Sequence, residues 1–104
     1  MTSARIDAFR GMLAKNPDNA RVRFGLATEL LKEGLYEEAV DELRRYLEAA
    51  DDEGNAYGRL AEALAKLGRA DEARAALRQG IAAARRFGHA GLAAELEERM
   101  EGEA

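Results

Sequence analysis

The chain repeats itself at an interval of 34 residues, and that interval sets the limits on its fold. The skeleton Leu26-Ala27, Leu30, Gly34, Tyr36, Ala39, Leu43, Leu47 returns as Leu60-Ala61, Leu64, Gly68, Ala70, Ala73, Leu77, Ile81. Between residues 20–53 and 54–87, eleven of the 34 aligned positions are identical. A period of this length marks stacked helical hairpins, each unable to bury its own apolar face without a neighbour. The expected fold is therefore all-α: an α-solenoid of antiparallel helix pairs with about six helices in a single domain.

Apolar spacing of three and four predicts the individual helices. Thr2 or Ser3 caps a first helix reaching Lys15, with Ile6, Phe9 and Leu13 on one face. Asn16-Pro17-Asp18-Asn19 ends it and opens a second, Asn19 to Glu33, which buries Val22, Leu26, Ala27 and Leu30. Gly34 closes that helix as a left-handed cap. The third, from Tyr36 to Ala50, turns Ala39, Val40, Leu43, Tyr46 and Leu47 inward and Glu37, Asp41, Glu42, Arg45 and Glu48 outward, with Asp41 and Arg45 spaced for an i,i+4 ion pair. An acidic turn, Asp51-Asp52-Glu53-Gly54, leads into a fourth helix from Asn55 to Leu67, and Gly68 separates it from a fifth, Ala70 to Phe87. Gly88-His89-Ala90-Gly91 breaks the chain before a last helix, Leu92 to Glu101, whose Leu92, Ala93, Leu96 and Met100 share one side as in a terminal cap.

Composition removes several function classes. With no cysteine there is no disulfide, thiolate metal site or thiol nucleophile. The only serine is Ser3 and the only histidine is His89, so neither a nucleophile–base pair nor a histidine metal cluster can be assembled; the reading is a non-enzyme with no cofactor and no metal. The carboxylate pairs Glu37-Glu38 and Glu97-Glu98 read as solvated helix faces. A formal net charge of -4 argues against nucleic acid as the partner. No stretch approaches the roughly 20 apolar residues of a membrane span, so a cytoplasmic protein without membrane contact is expected. Abundant Arg and Ala with few Asn and Gln suit a thermophile, and high-GC coding equally.

Helix-turn-helix units of this length and pattern resemble the tetratricopeptide repeat (TPR). Leu26/Leu60, Ala27/Ala61, Leu30/Leu64, Gly34/Gly68, Ala39/Ala73 and Leu43/Leu77 fall where the pattern W-x2-L-G-x2-Y…A-x3-F…P has its signature. Arg23 and Tyr57 stand where the family often has Trp, and Asp51 and Arg85 replace the closing proline, which only Pro17 keeps. The resemblance implies a half-repeat helix over 1–17, repeats over 18–53 and 54–87, and a capping helix with tail over 88–104.

The family holds peptides or partner helices in a concave groove lined by the first helix of each repeat. Mapped onto this sequence, the resemblance points to Arg21, Phe24, Gly25, Thr28 and Lys32 in the first repeat and Asn55, Gly58, Arg59, Glu62 and Lys66 in the second. Arg21, Gly25, Thr28, Lys32 and Asn55, Arg59, Glu62, Lys66 both run at spacings of four, three and four, which places each set on one helix stripe. Four cations against Glu62 alone would favour an acidic segment, Gly25 and Gly58 would leave room for its backbone, and Phe24 and Tyr57 would anchor it. The alternative is that the charges are simply solvated and the aromatics fill the core. A family variant that clamps carboxyl-terminal peptides with Lys and Asn is not reproduced, because Phe24, Thr28 and Arg59 occupy those positions.

Two functions remain in play. One is a protein–protein interaction module binding a partner's peptide or helix in the groove. The other is a self-assembling scaffold subunit, a homo-oligomer in which the unpaired first helix buries Ile6, Phe9 or Met12 against another copy.

Overall fold

The structure is a computed structural model and describes residues 3–102. Six helices follow one another: α1 (Ala4–Lys15), α2 (Ala20–Lys32), α3 (Tyr36–Ala49), α4 (Asn55–Lys66), α5 (Ala70–Arg86) and α6 (Ala90–Gly102). The starts of α1, α2 and α4 are set by side-chain acceptors. Ser3 Oγ accepts from the Ile6 amide and Asn19 Oδ1 from the Val22 amide, both at 3.2 Å. The Asp52 carboxylate accepts from the amides of Gly54 and Ala56 at 2.8 and 2.9 Å at the head of α4. Thr2, the other cap considered for α1, lies outside the described residues.

Three helix ends share one device. Gly34, Gly68 and Gly88 have φ of 76°, 77° and 77°, and the next amide bonds back to a carbonyl five residues earlier: Leu35 to Leu30, Arg69 to Leu64, His89 to Ala84. A side chain at these positive φ values would be strained, so glycine is needed there. The last of the three acts sooner than the sequence suggests. Phe87, Gly88 and His89 interrupt the chain, and α6 begins at Ala90 rather than Leu92 because Ala90 and Gly91 are already helical.

Each helix packs against the next in antiparallel pairs. Ile6, Leu26, Leu30, Val40, Leu43, Leu64, Leu77 and Leu96 are fully buried, and Ala27, Ala39, Ala61 and Ala73 lie between them where helices approach closely. The molecule is 18 Å thick, enough for two helix layers about 8–10 Å apart. One layer holds α1, α3 and α5, stitched by Arg10–Glu38 and, 34 residues on, by Arg44–Glu72 at 3.0 Å. Its hydrogen bond to Glu38 raises the pKa of Arg10. The other layer holds α2 and α4.

Three sequence expectations are corrected by this packing. Ile6, expected to stay partly uncovered on α1, is 0% exposed and belongs to the core, whereas Phe9, half-buried with its ring over Gly25, and Met12, 50% exposed, do stay partly uncovered. Glu42 faces inward: its carboxylate meets Arg23 at 2.5 Å, with side-chain exposures of 11% and 15%. Arg45 consequently approaches Glu42, at 3.6 Å, instead of forming the expected pair with Asp41.

Candidate functional site

The candidate stripe on α2 and α4 lies on the side of those helices away from Arg23 and Tyr57, since residues at spacings of three and four share a face. The side chain that ties the two stripes together is Phe24. Its ring meets Tyr46 of α3 with centroids 5.1 Å apart and planes tilted by 48°, and the Arg59 guanidinium sits over it at 5.5 Å. Burial, and secondarily the charge of Asp52 and a hydrogen bond to it, raise the pKa of the Tyr46 phenol. Phe24 thus bridges α2, α3 and α4 and positions Arg59.

Around this centre Arg21, Lys32, Glu62 and Lys66 are exposed. Lys32 lies 3.5 Å from Glu29, and the Thr28 hydroxyl is turned back onto its own helix, donating to the Phe24 carbonyl at 3.0 Å. Asn55, Gly58, Arg59 and Glu62 line a cleft of about 180 Å³ between α4 and α6, whose other wall is Leu92, Glu95, Leu96 and Arg99.

The two glycines of the stripe do not leave room for a partner. A Cβ on Gly25 would lie 2.9 Å from Phe9 Cζ, and one on Gly58 would lie 3.0 Å from Arg99 Nη1 and 3.2 Å from Leu96 Cδ2. The space is taken by α1 on one side and α6 on the other, and Arg99 also donates to the Gly58 carbonyl at 2.9 Å. Tyr57 is likewise displaced from the expected site. It lines a separate groove between α3 and α5, on the opposite side of α4.

The residues of α6 at this site escaped the sequence reading, although the repeat carried a signal. Shifted by 34, the stripe Asn55, Gly58, Arg59, Glu62, Lys66 becomes His89, Leu92, Ala93, Leu96, Met100. Ala93 and Leu96 are buried, and Leu92 and Met100 pack on the core. In α6 the stripe that faces solvent in α2 and α4 has become the packing face. The positions that would have packed, matching Leu60, Ala61 and Leu64, hold Ala94, Glu95 and Glu98, and two carboxylates there favour solvent. The helix is rolled about its axis accordingly and forms the second wall of the cleft.

Six sequential helices with recurring 34-residue hairpins make this a helical-repeat protein of the α-solenoid class. The sequence matches the family model of the tetratricopeptide repeat over residues 1–84, and the chain belongs to that family. A search of curated proteins finds no match. Among solved structures the chain is similar to PcrH in complex with the chaperone binding region of PopD, at 24% identity and a TM-score of 0.88 over 94% of this chain and 74% of that one. It is also similar to protein BPP2914 from Bordetella parapertussis, at 26% identity and a TM-score of 0.83 over 99% and 89%, and to MamA, at 20% identity and a TM-score of 0.72 over 94% and 66%. Among the described residues no helix is long and apolar enough to cross a membrane.

Proposed function

We propose that the chain is a non-enzymatic interaction module that holds an acidic segment of a partner protein, peptide or helix, along the α2–α4 stripe. On this reading residues 18–53 and 54–87 are the repeats that build the groove, 1–17 is a half repeat, and 88–104 is a cap and tail. The observation that carries it is the state of Arg59. Arg5, Arg10, Arg23, Arg44, Arg45, Arg69, Arg85 and Arg86 each meet a carboxylate. Arg59, like Arg21, Arg74, Arg78 and Arg99, has no carboxylate among the described residues, and it is the one of these held over the Phe24 ring, with its planar donor edge left to a ligand. Arg21 and Lys66 add exposed charge to the same stripe, whereas Glu62 and Glu95 make the α6 end acidic. An acidic segment therefore binds toward α2, with any basic flank toward α6. PcrH, the similar structure, was solved with a region of another protein bound to it. A non-enzymatic role is favoured by the positions of Ser3, engaged as a helix cap, and His89, half-exposed 3.4 Å from Glu53.

The test is affinity capture with the immobilised protein, followed by titration of the captured segment. Wild type retains a partner that Arg21→Glu with Arg59→Glu loses by tenfold or more, and raising the salt weakens wild-type binding. Equal capture by both proteins would sink the proposal.

A further inference from the structure

The two hairpins treat the same place in opposite ways. Over α2, between α1 and α3, Arg23 and Glu42 close the outer surface with a largely buried ion pair. Over α4, between α3 and α5, the 34-residue counterparts are Tyr57 and Ala76, too short to do the same, and a groove of about 390 Å³ stays open above Leu47, Tyr57, Leu60 and Ala76. Glu48 and the exposed Ala75 stand at its rim. One exposed apolar side chain of suitable length is present on α1. Met12 is flanked by exposed Ala8, Gly11 and Lys15, and nothing lies within 4 Å of where a Gly11 Cβ would be, so small neighbours let that helix come close to another surface.

The geometry points to a head-to-tail contact in which Met12 of one copy enters the α3–α5 groove of a second copy. Charge selects this occupant. Arg10 of α1 is already paired with Glu38, and Arg44 and Glu72 at the groove are paired with each other, so the charges left to choose an occupant are those without a partner. Among the described residues neither Lys15, one turn from Met12, nor Glu48, beside Leu47, is in an ion pair, and the contact supplies each with its opposite. Knob and groove are different surfaces, so the contact is heterologous and each added copy exposes a fresh groove. The contact uses the layer opposite the α2–α4 stripe and leaves that stripe open, so it stands independently of the acidic partner.

Sedimentation velocity from about 10 µM to about 1 mM reads the contact directly. The wild-type average mass rises with concentration. Met12→Ser removes the knob and Ala75→Arg blocks the groove, and each alone stays monomeric with association weakened tenfold or more. Both positions are exposed, and an unchanged thermal melt verifies that the variants are folded. The two variants mixed in equal amounts form a one-to-one dimer that grows no further, because Met12→Ser keeps a groove and Ala75→Arg keeps a knob. A wild type that remains monomeric throughout, a Met12→Ser protein that associates like wild type, or a mixture that yields no dimer would each overturn the contact.

Discussion

Replacing Glu42 by alanine is expected to destabilise the fold by about 2–3 kcal/mol, much more than the loss of an exposed ion pair, about 0–1 kcal/mol. The carboxylate is 11% exposed, lies 2.5 Å from Arg23 and is 3.6 Å from Arg45. Without it the Arg23 guanidinium keeps, among the described residues, only the Pro17 carbonyl, at 2.8 Å, as a partner. A fully buried charge stripped of its counter-ion costs about 3–5 kcal/mol, and residual exposure with that second bond brings the figure down. Alanine's better helix propensity returns only a few tenths of a kcal/mol, so the sign is not in doubt. In a domain of this size the loss corresponds to roughly 10–20 °C in Tm. The second hairpin supplies the control. Arg23→Tyr with Glu42→Ala copies Tyr57 and Ala76, leaves no unpaired charge, and should return to within about 1 kcal/mol of wild type. Urea unfolding followed by circular dichroism measures all of these, and the cycle through Arg23→Tyr yields a coupling energy of about 2 kcal/mol. If Glu42→Ala costs less than about 0.5 kcal/mol, or the two substitutions are additive, the reasoning from burial fails.

Glycine positions divide sharply. Gly80→Ala should cost about 1–3 kcal/mol because its Cβ would lie 2.9 Å from Tyr57 Cβ and 3.0 Å from Leu96 Cδ1, whereas Gly11→Ala, in open space within α1, should gain about 0.5–1 kcal/mol; thermal melts of the two move in opposite directions. Alkaline titration reports Tyr46. Its folded pKa is raised above the ordinary 10.0, so the stabilising effect is complete below pH 10.0 and is lost as pH climbs through the folded value. Unfolding free energy should therefore fall between pH 10.0 and the folded value in wild type and fall less in Tyr46→Phe, and equal slopes would remove Tyr46 as the cause.

Much of the fold was legible because the glycine stops recur in register. Gly34 and Gly68 end α2 and α4 by the same left-handed closure, and the apolar spacing between them leaves little freedom in helix assignment. Two things escaped for physical reasons. Glu42 reads as a surface residue because its partner is 19 positions away, and only the paired exchange of Arg23 and Glu42 for Tyr57 and Ala76 betrays the contact. The candidate site was read from α2 and α4 alone. Leu92, Ala93, Leu96 and Met100 read as one apolar side of a cap, yet their register with the stripe, which rolls α6 onto the cleft and fills the space beside Gly58, follows only once the helices are packed.

The most direct test of the interaction module is calorimetric titration of the captured partner segment into wild type and into Arg59→Gln, which keeps a shorter polar side chain but removes the charge. A loss of tenfold or more in affinity and a shallower salt dependence are expected in the variant. Unchanged affinity and an unchanged salt slope would contradict it.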